Sequence, residues 1–296
     1  MDVNSLGATK ILIDYRNTNS RLERSLERLS SGRRVATAKD DPILWSEMQG
    51  LKSDAMNLMG YSDNLSRAAS TVNIALGSMD VSRSHLLQAE AELNAAFSAA
   101  PGSSERIDAL NNYNEMLEFV DDAAMSPDPQ ARALLQDPLV YPAAGAIDVR
   151  AGENGFMLRL DAREIHTGAA GLDLPRAGAA RPSDLTSNPS APPVIADVSA
   201  ATNQEIDKMI ELLVAAKEKL SSQVRGLTVD AAALQGSEDF NAAFIALNEG
   251  HAEELNVVDL NAEAVLVQSL QLKGELSISG LSGLGDTLKM AIQLLK

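Results

Sequence analysis

Three histidines, His85, His166 and His251, are the residues best suited to hold a metal or move a proton near neutral pH. They are far apart in the chain, without the close spacing of a ligand pair. His166 sits in EIHTG, which lacks the second histidine of a zinc-protease helix. No Walker loop and no Gly-x-Ser-x-Gly elbow occurs, and Asn154-Gly155 reads as a turn and not as a phosphate cradle. There is no cysteine, so thiolate metal sites and disulfides are excluded. These absences point away from an enzyme and from a bound cofactor or metal. The remaining concentration of chemistry is electrostatic. Arg33, Arg34, Lys39, Asp40 and Asp41 crowd into nine residues after the helix stop Ser30-Ser31-Gly32. Such groups could cap backbone amides, pair across an interface or simply be solvated.

The composition says what kind of scaffold carries that cluster. The chain has 296 residues, 3% aromatics and a net charge of −16. Few aromatics with abundant alanine and leucine favour helix-on-helix packing. The acidic balance argues against nucleic acid as a partner. No apolar run approaches the ~20 residues of a membrane span. The N-terminus MDVNSLGATKILIDYRNTNS has neither the apolar region nor the cleavage site of a signal peptide.

Ten of the eleven prolines lie between Pro101 and Pro193, which leaves 43–100 and 194–296 free to be long helices. From Met48 the steps of three and four through Leu58, Leu65, Val72, Leu76, Met79, Arg83, Leu86, Leu93 and Phe97 make a heptad seam. Such a helix, from 42 to 98, would be roughly 85 Å long. A matching seam precedes the hinge at Leu12, Tyr15, Asn19, Leu22, Leu26 and Leu29, and another runs from Ile206 through Ile210, Leu213, Lys217 and Leu220 to Leu234. Asn256-Val257-Val258-Asp259 reads as a second break, after which Val265, Leu266, Leu270, Leu276, Leu281, Leu284, Leu288, Ile292 and Leu295 resume the pattern, among Gly274, Gly280, Gly283 and Gly285. The chain is close to a mirror of itself, and pairing its two ends is the economical way to bury these seams. Residues 103–125 predict one more amphipathic helix, AIDVRAGENGFMLRLD a β-hairpin, and 175–200 a linker or loop. The expected fold is mainly α. Long antiparallel helices from the N- and C-terminal segments form a coiled-coil-like bundle, with a small β-hairpin in the middle. The expected segments are 1–41 (inner helix plus hinge), 42–125, 126–200, 201–255 and 256–296.

Residues 1–39 hold eight Lys/Arg against four acids, whereas 226–272 hold eight acids and no base. Opposite signs on paired segments would favour register.

The stretch LERLSSGRRVATAKDDPILWSEM resembles the N-terminal signature of bacterial flagellins, and VVDLNAEAVLVQSLQLKGELSISGLSGLGDTLKMAIQLLK is similar to their C-terminal one. Asp40-Asp41-Pro42 is also like the hook-filament junction proteins, which share this architecture. What the resemblance implies is a structural subunit of the flagellar filament, extracellular and serving motility. It would be exported unfolded by the type III apparatus with an export chaperone, without a cleaved signal. Its partners would be itself, other flagellins, and the junction and cap proteins. Alternatives are a junction protein, or a flagellin-like regulatory or binding protein that does not polymerise. In the flagellin reading the opening stretch is the spoke between an inner layer and the next layer outward. Assembly contacts are then expected at Leu26, Leu29, Gly32, Arg33, Arg34, Lys39, Asp40 and Asp41, and at Leu266, Leu270, Leu281, Leu288 and Leu295.

Overall fold

A computed structural model describes residues 3–136, 141–153, 155–179 and 194–294. The elements in order are α1 (Val3–Ser31), α2 (Pro42–Ser98), α3 (Ser104–Ala124), α4 (Pro129–Leu135), β1 (Ile147–Arg150), β2 (Met157–Leu160), a short 3-10 turn (Val198–Ala200), α5 (Asn203–Asn256) and α6 (Leu260–Leu294). The fold is mainly α, with one two-stranded sheet among the described residues. The chain divides into two compact units, one of residues 1–56 with 245–296 and one of residues 57–244.

The proline-free blocks become the long helices for local reasons. Pro42 occupies the first turn of α2, and Asp41 caps it by accepting from the Leu44 amide at 3.0 Å. Ser103 caps α3 and Asp128 caps α4. The hairpin pairs Ile147 with Leu160 and Val149 with Leu158, antiparallel.

The larger unit is one core shared by α2, α3, α4 and α5. Arg106 fixes its end. Its side chain is buried without an acid and donates to the carbonyls of Ala201, at 2.7 Å, and of Ala99, and to Asn203 Oδ1 at 2.5 Å. The C-terminal end of α2 therefore meets the N-terminal end of α5, so the two helices run antiparallel there. Lys217 Nζ to Glu90 Oε2, 2.6 Å, ties them again further along. The segment after β2 is strapped to α3: Asp121 accepts from the Thr167 amide at 2.7 Å and from Arg176 at 3.1 Å, and Asn114 and Ala177 exchange two hydrogen bonds. Gly171 permits this path, since a Cβ there would lie 2.0 Å from the His166 carbonyl oxygen.

The seam along α2 differs from the expected one by a residue in every other layer. Leu65, Val72, Met79, Leu86 and Leu93 are buried as expected, but the layers between them are Ala68, Ala75, Ser82, Ala89 and Ala96. Phe97 is instead 40% exposed and the Arg83 side chain 61% exposed. On α5 the same happens: Met209 and Ala216 are buried where Ile210 and Lys217 were expected, and both of those are half-buried. The reason is a third helix. A narrow two-helix seam follows strict heptads, but α2 is covered by α3 as well as α5, so its buried stripe widens and alternates large layers with small ones. This register has a direct check in urea unfolding. Ala75→Leu overfills a fully buried layer and should cost about 1–3 kcal/mol. Arg83→Ala should stay within about 0.5 kcal/mol, as surface changes do. The reverse order would restore the heptad reading.

Candidate assembly surface

The smaller unit brings the two hinges together. Gly32 ends α1 at φ +67°, its amide donating to the Arg28 carbonyl at 2.8 Å, a left-handed cap that glycine adopts without strain. The chain then runs extended for a few residues. Arg33 pairs with Val257 as an antiparallel bridge, the Arg34 amide donates to the Asn256 carbonyl at 2.6 Å, and the Val258 amide donates to the Gly32 carbonyl at 3.3 Å. The Asn256 side chain adds a third hydrogen bond, its Oδ1 accepting from the Val35 amide at 2.8 Å. Two linkers more than two hundred residues apart in sequence are thereby one short ladder.

The carboxylates of this region serve the backbone. Asp40 Oδ2 accepts from the amides of Thr37 at 2.8 Å and Ala36 at 3.2 Å and from the Thr37 hydroxyl at 3.1 Å. The Thr37 amide foremost holds the Asp40 carboxyl below its ordinary value; desolvation opposes it, and the Thr37 hydroxyl, the Ala36 amide and the charge of Arg28 add to the lowering. Asp41 caps α2, and Asp259 caps α6 through the amides of Asn261 and Ala262, both at 3.0 Å. Arg33, Arg34 and Lys39 are exposed and make no ion pair among the described residues. The expected pairing of a basic N-terminus with acids is not formed inside this unit: among the described residues no ion pair joins α1 or its hinge to Glu249, Glu253, Glu254, Asp259 or Glu263.

From the hinge, α1 and α6 run closely side by side. A Cβ on Gly274 would touch Tyr15 at 4.0 Å and one on Gly280 would touch Ile11 at 3.9 Å, which places the helices antiparallel. Their seam is not the expected leucine stripe. On α1 the most buried residues are Thr18 and Ser25, with Ile11, Tyr15, Leu22 and Leu29 half-buried. On α6 they are Glu263, Val267 and Leu270. The large aliphatic residues Leu12, Ile13 and Leu26 are 42%, 53% and 43% exposed. On α6, Val265, Leu272, Leu276 and Ile278 are 66%, 58%, 65% and 54% exposed. Small residues allow two backbones to approach, so Thr18 and Ser25 alternate in the seam with the bulkier Tyr15, Leu22 and Leu29, while other bulky side chains are turned out.

Of the expected assembly residues, the structure thus joins Gly32, Arg33 and Arg34 to the second hinge and turns Asp40 inward onto its own loop. Leu26 is exposed, Leu29, Leu266 and Leu281 are half-buried, and Leu270 is buried at 4%. The Leu288 side chain and Leu295 lie outside the described residues. Asn256 was passed over as part of a break, although an Asn at a helix end is a frequent backbone partner and was the available signal. The histidines serve locally: His85 stacks on Phe119 at 5.2 Å, His166 Nδ1 accepts from the Gly168 amide at 3.0 Å, and His251 is exposed.

Two outcomes test the ladder. Asn256→Ala strands the amide of Val35, a residue only 1% exposed, and should cost about 1–3 kcal/mol of local stability, read as faster hydrogen exchange at Val35. Unchanged exchange there would contradict the link. For Asp40 the carboxyl is depressed, so its contribution is present above its ordinary value of 3.8 and is lost as pH falls through the lower folded value. The Ala36 and Thr37 amide resonances should therefore hold steady down to that ordinary value and move only below it, and Asp40→Asn should shift them at neutral pH.

Residues 4–124 match the family model described as the bacterial flagellin N-terminal helical region. Flagellin FljK of Caulobacter vibrioides is 31% identical over 74 residues, 25% of this chain and 27% of that protein. The chain thus spans about a quarter of the length of that relative. Flagellin FljO of the same organism is 23% identical over 277 residues, 93% of this chain and 91% of that protein. Over residues 4–124 the chain is thus similar to the N-terminal helical region of bacterial flagellins.

Proposed function

We propose that this chain is a structural subunit of a bacterial flagellar filament, held in the polymer by the outer faces of α1 and α6. One observation carries the reading: beyond the seam that buries Thr18, Ser25, Val267 and Leu270, the terminal helix pair leaves Leu12, Leu26, Val265, Leu272 and Leu276 exposed. Leu22, Leu29 and Leu270 are turned inward, but a pair built for a solitary domain would not leave as many large aliphatic residues in water, because burial of large apolar side chains is the main stabilising term. Outward aliphatic stripes on both helices call for further helices around the pair, which copies of the same chain supply. Similarity to flagellins along most of the length of FljO supports the same conclusion.

In this reading the chain acts by assembly, and its partners are itself and other flagellins, with junction and cap proteins at the filament ends. Export unfolded through the flagellar apparatus, with a chaperone, follows from the same assignment, and the resting place is extracellular. Among the described residues no helix is long and apolar enough to cross a membrane. The hinge arginines and Lys39, exposed in the single chain, are placed to pair with neighbours. In the same reading the segments 1–41 and 256–296 are the inner layer with its spoke, and 42–255 the layers outside it.

The test is assembly of outer-face variants. Leu12→Glu and Leu276→Glu should each raise the critical concentration for polymerisation at least tenfold, followed by sedimentation. Unfolding of the free chain should change by no more than about 0.5 kcal/mol, since both positions are exposed. Wild-type polymerisation of both variants would refute the outer-face reading.

A further inference from the structure

A cleft of about 690 Å³ in the smaller unit has no part in the account so far. Its floor is Val35 and Met48, each 1% exposed, with Ala55 and Ala252. Trp45 and Met56 form its lips, Met56 being 64% exposed. Its rim is charged in opposite senses: Arg33 and Lys52 come from the first hinge and α2, and Glu249 and Glu253 from α5. None of these four charges is in an ion pair among the described residues. An apolar floor between rims of opposite charge suits a helical ridge flanked by one cation and one anion. It does not suit a small polar ligand, which needs polar groups converging on the floor.

The chain itself carries such a ridge. Val265, Leu272 and Leu276 are spaced by seven and four, hence on one face of α6, and are 66%, 58% and 65% exposed. Lys273 and Glu275 flank them, a cation for Glu249 and Glu253 and an anion for Arg33 and Lys52. Because this ridge stands in solvent, it does not fill the cleft of its own chain. We propose that the cleft beside Trp45 receives the Val265–Leu276 ridge of α6 from a second copy. The proposal rests on the filament reading, which says that copies assemble but not where this ridge goes.

The chain lacks cysteine and has one tryptophan, so both ends of the contact can be probed cleanly. Chains bearing Met56→Cys are mixed with chains bearing Leu272→Cys, polymerised and oxidised, and Trp45 emission is recorded on the wild type before and after polymerisation. The expected result is a disulfide-linked heterodimer in the polymer only, with a blue shift of Trp45. Charge reversal gives a second reading that does not depend on the thiol variants: Lys52→Glu should weaken assembly about tenfold, and Glu275→Lys in the same chain should restore it. Polymers that form without the cross-link overturn the proposal, whether or not Trp45 shifts, and leave the filament reading standing. Failure of Glu275→Lys to restore assembly overturns it as well. A wild-type chain that never polymerises overturns both.

Discussion

The packing of α1 on α6 constrains everything else in this molecule. Two helices approach most closely where facing side chains are small, and here Thr18, Ser25 and Gly274 share the seam with Ile11, Tyr15, Leu22, Leu29, Val267 and Leu270. Leu12, Leu26, Val265, Leu272 and Leu276 stay outside that seam, so their burial, at about 25 cal/mol per Å², contributes only in contact with a neighbour. The glycines weaken α6 further, by about 1 kcal/mol each relative to alanine in a helix interior. Glu263 adds a cost of its own, being 7% exposed with Oε1 lacking a partner. The pair is therefore left with most of its stabilising surface unspent, on the outside.

The hinges make that arrangement workable. Without the ladder from Gly32 to Val258, α1 and α6 would hang on two independent linkers, and their outward stripes would have no fixed mutual orientation. Three backbone-directed hydrogen bonds set the register of the helices at their common end. The carboxylates beside the ladder accept amide protons of their own loop and helix starts, and the hinge cations form no ion pair among the described residues. That division explains why acids and bases that sit close in sequence do not pair with each other here. A carboxylate satisfied by two or three amides gains more than it would from a solvent-exposed ion pair worth about 0–1 kcal/mol.

Much of this was legible in the sequence, and the parts that were not have physical reasons. Helix extents followed from proline placement and caps: Pro42, Ser103 and the break at Asn256–Asp259 all fall where elements begin or end. The hairpin followed from alternation around Gly152–Gly155. The faces of the helices were less legible. Heptad counting rewards the larger apolar residue, so it selected Leu26 over Ser25 and Phe97 over Ala96. In α2 the miss came from a third helix widening the buried stripe. In α1 it came from a partner with glycine on its facing surface, which favours small residues on both sides. Those exposed leucines are the places where a rule for folding fails, and they coincide with the surface assigned to assembly. Asn256 escaped notice because its partner, Val35, is 221 residues away and no local pattern announces it.

The central claim is that the terminal helix pair draws its stability from neighbouring copies and not from its own seam. Amide hydrogen exchange, compared between the free chain and its polymer, tests this most directly. The account predicts that in the free chain the amides of α1 and α6 exchange orders of magnitude faster than those around Leu65–Leu93 in the larger core, and that polymerisation protects them to a similar level. Equal protection of both regions in the free chain, unchanged on polymerisation, would contradict it.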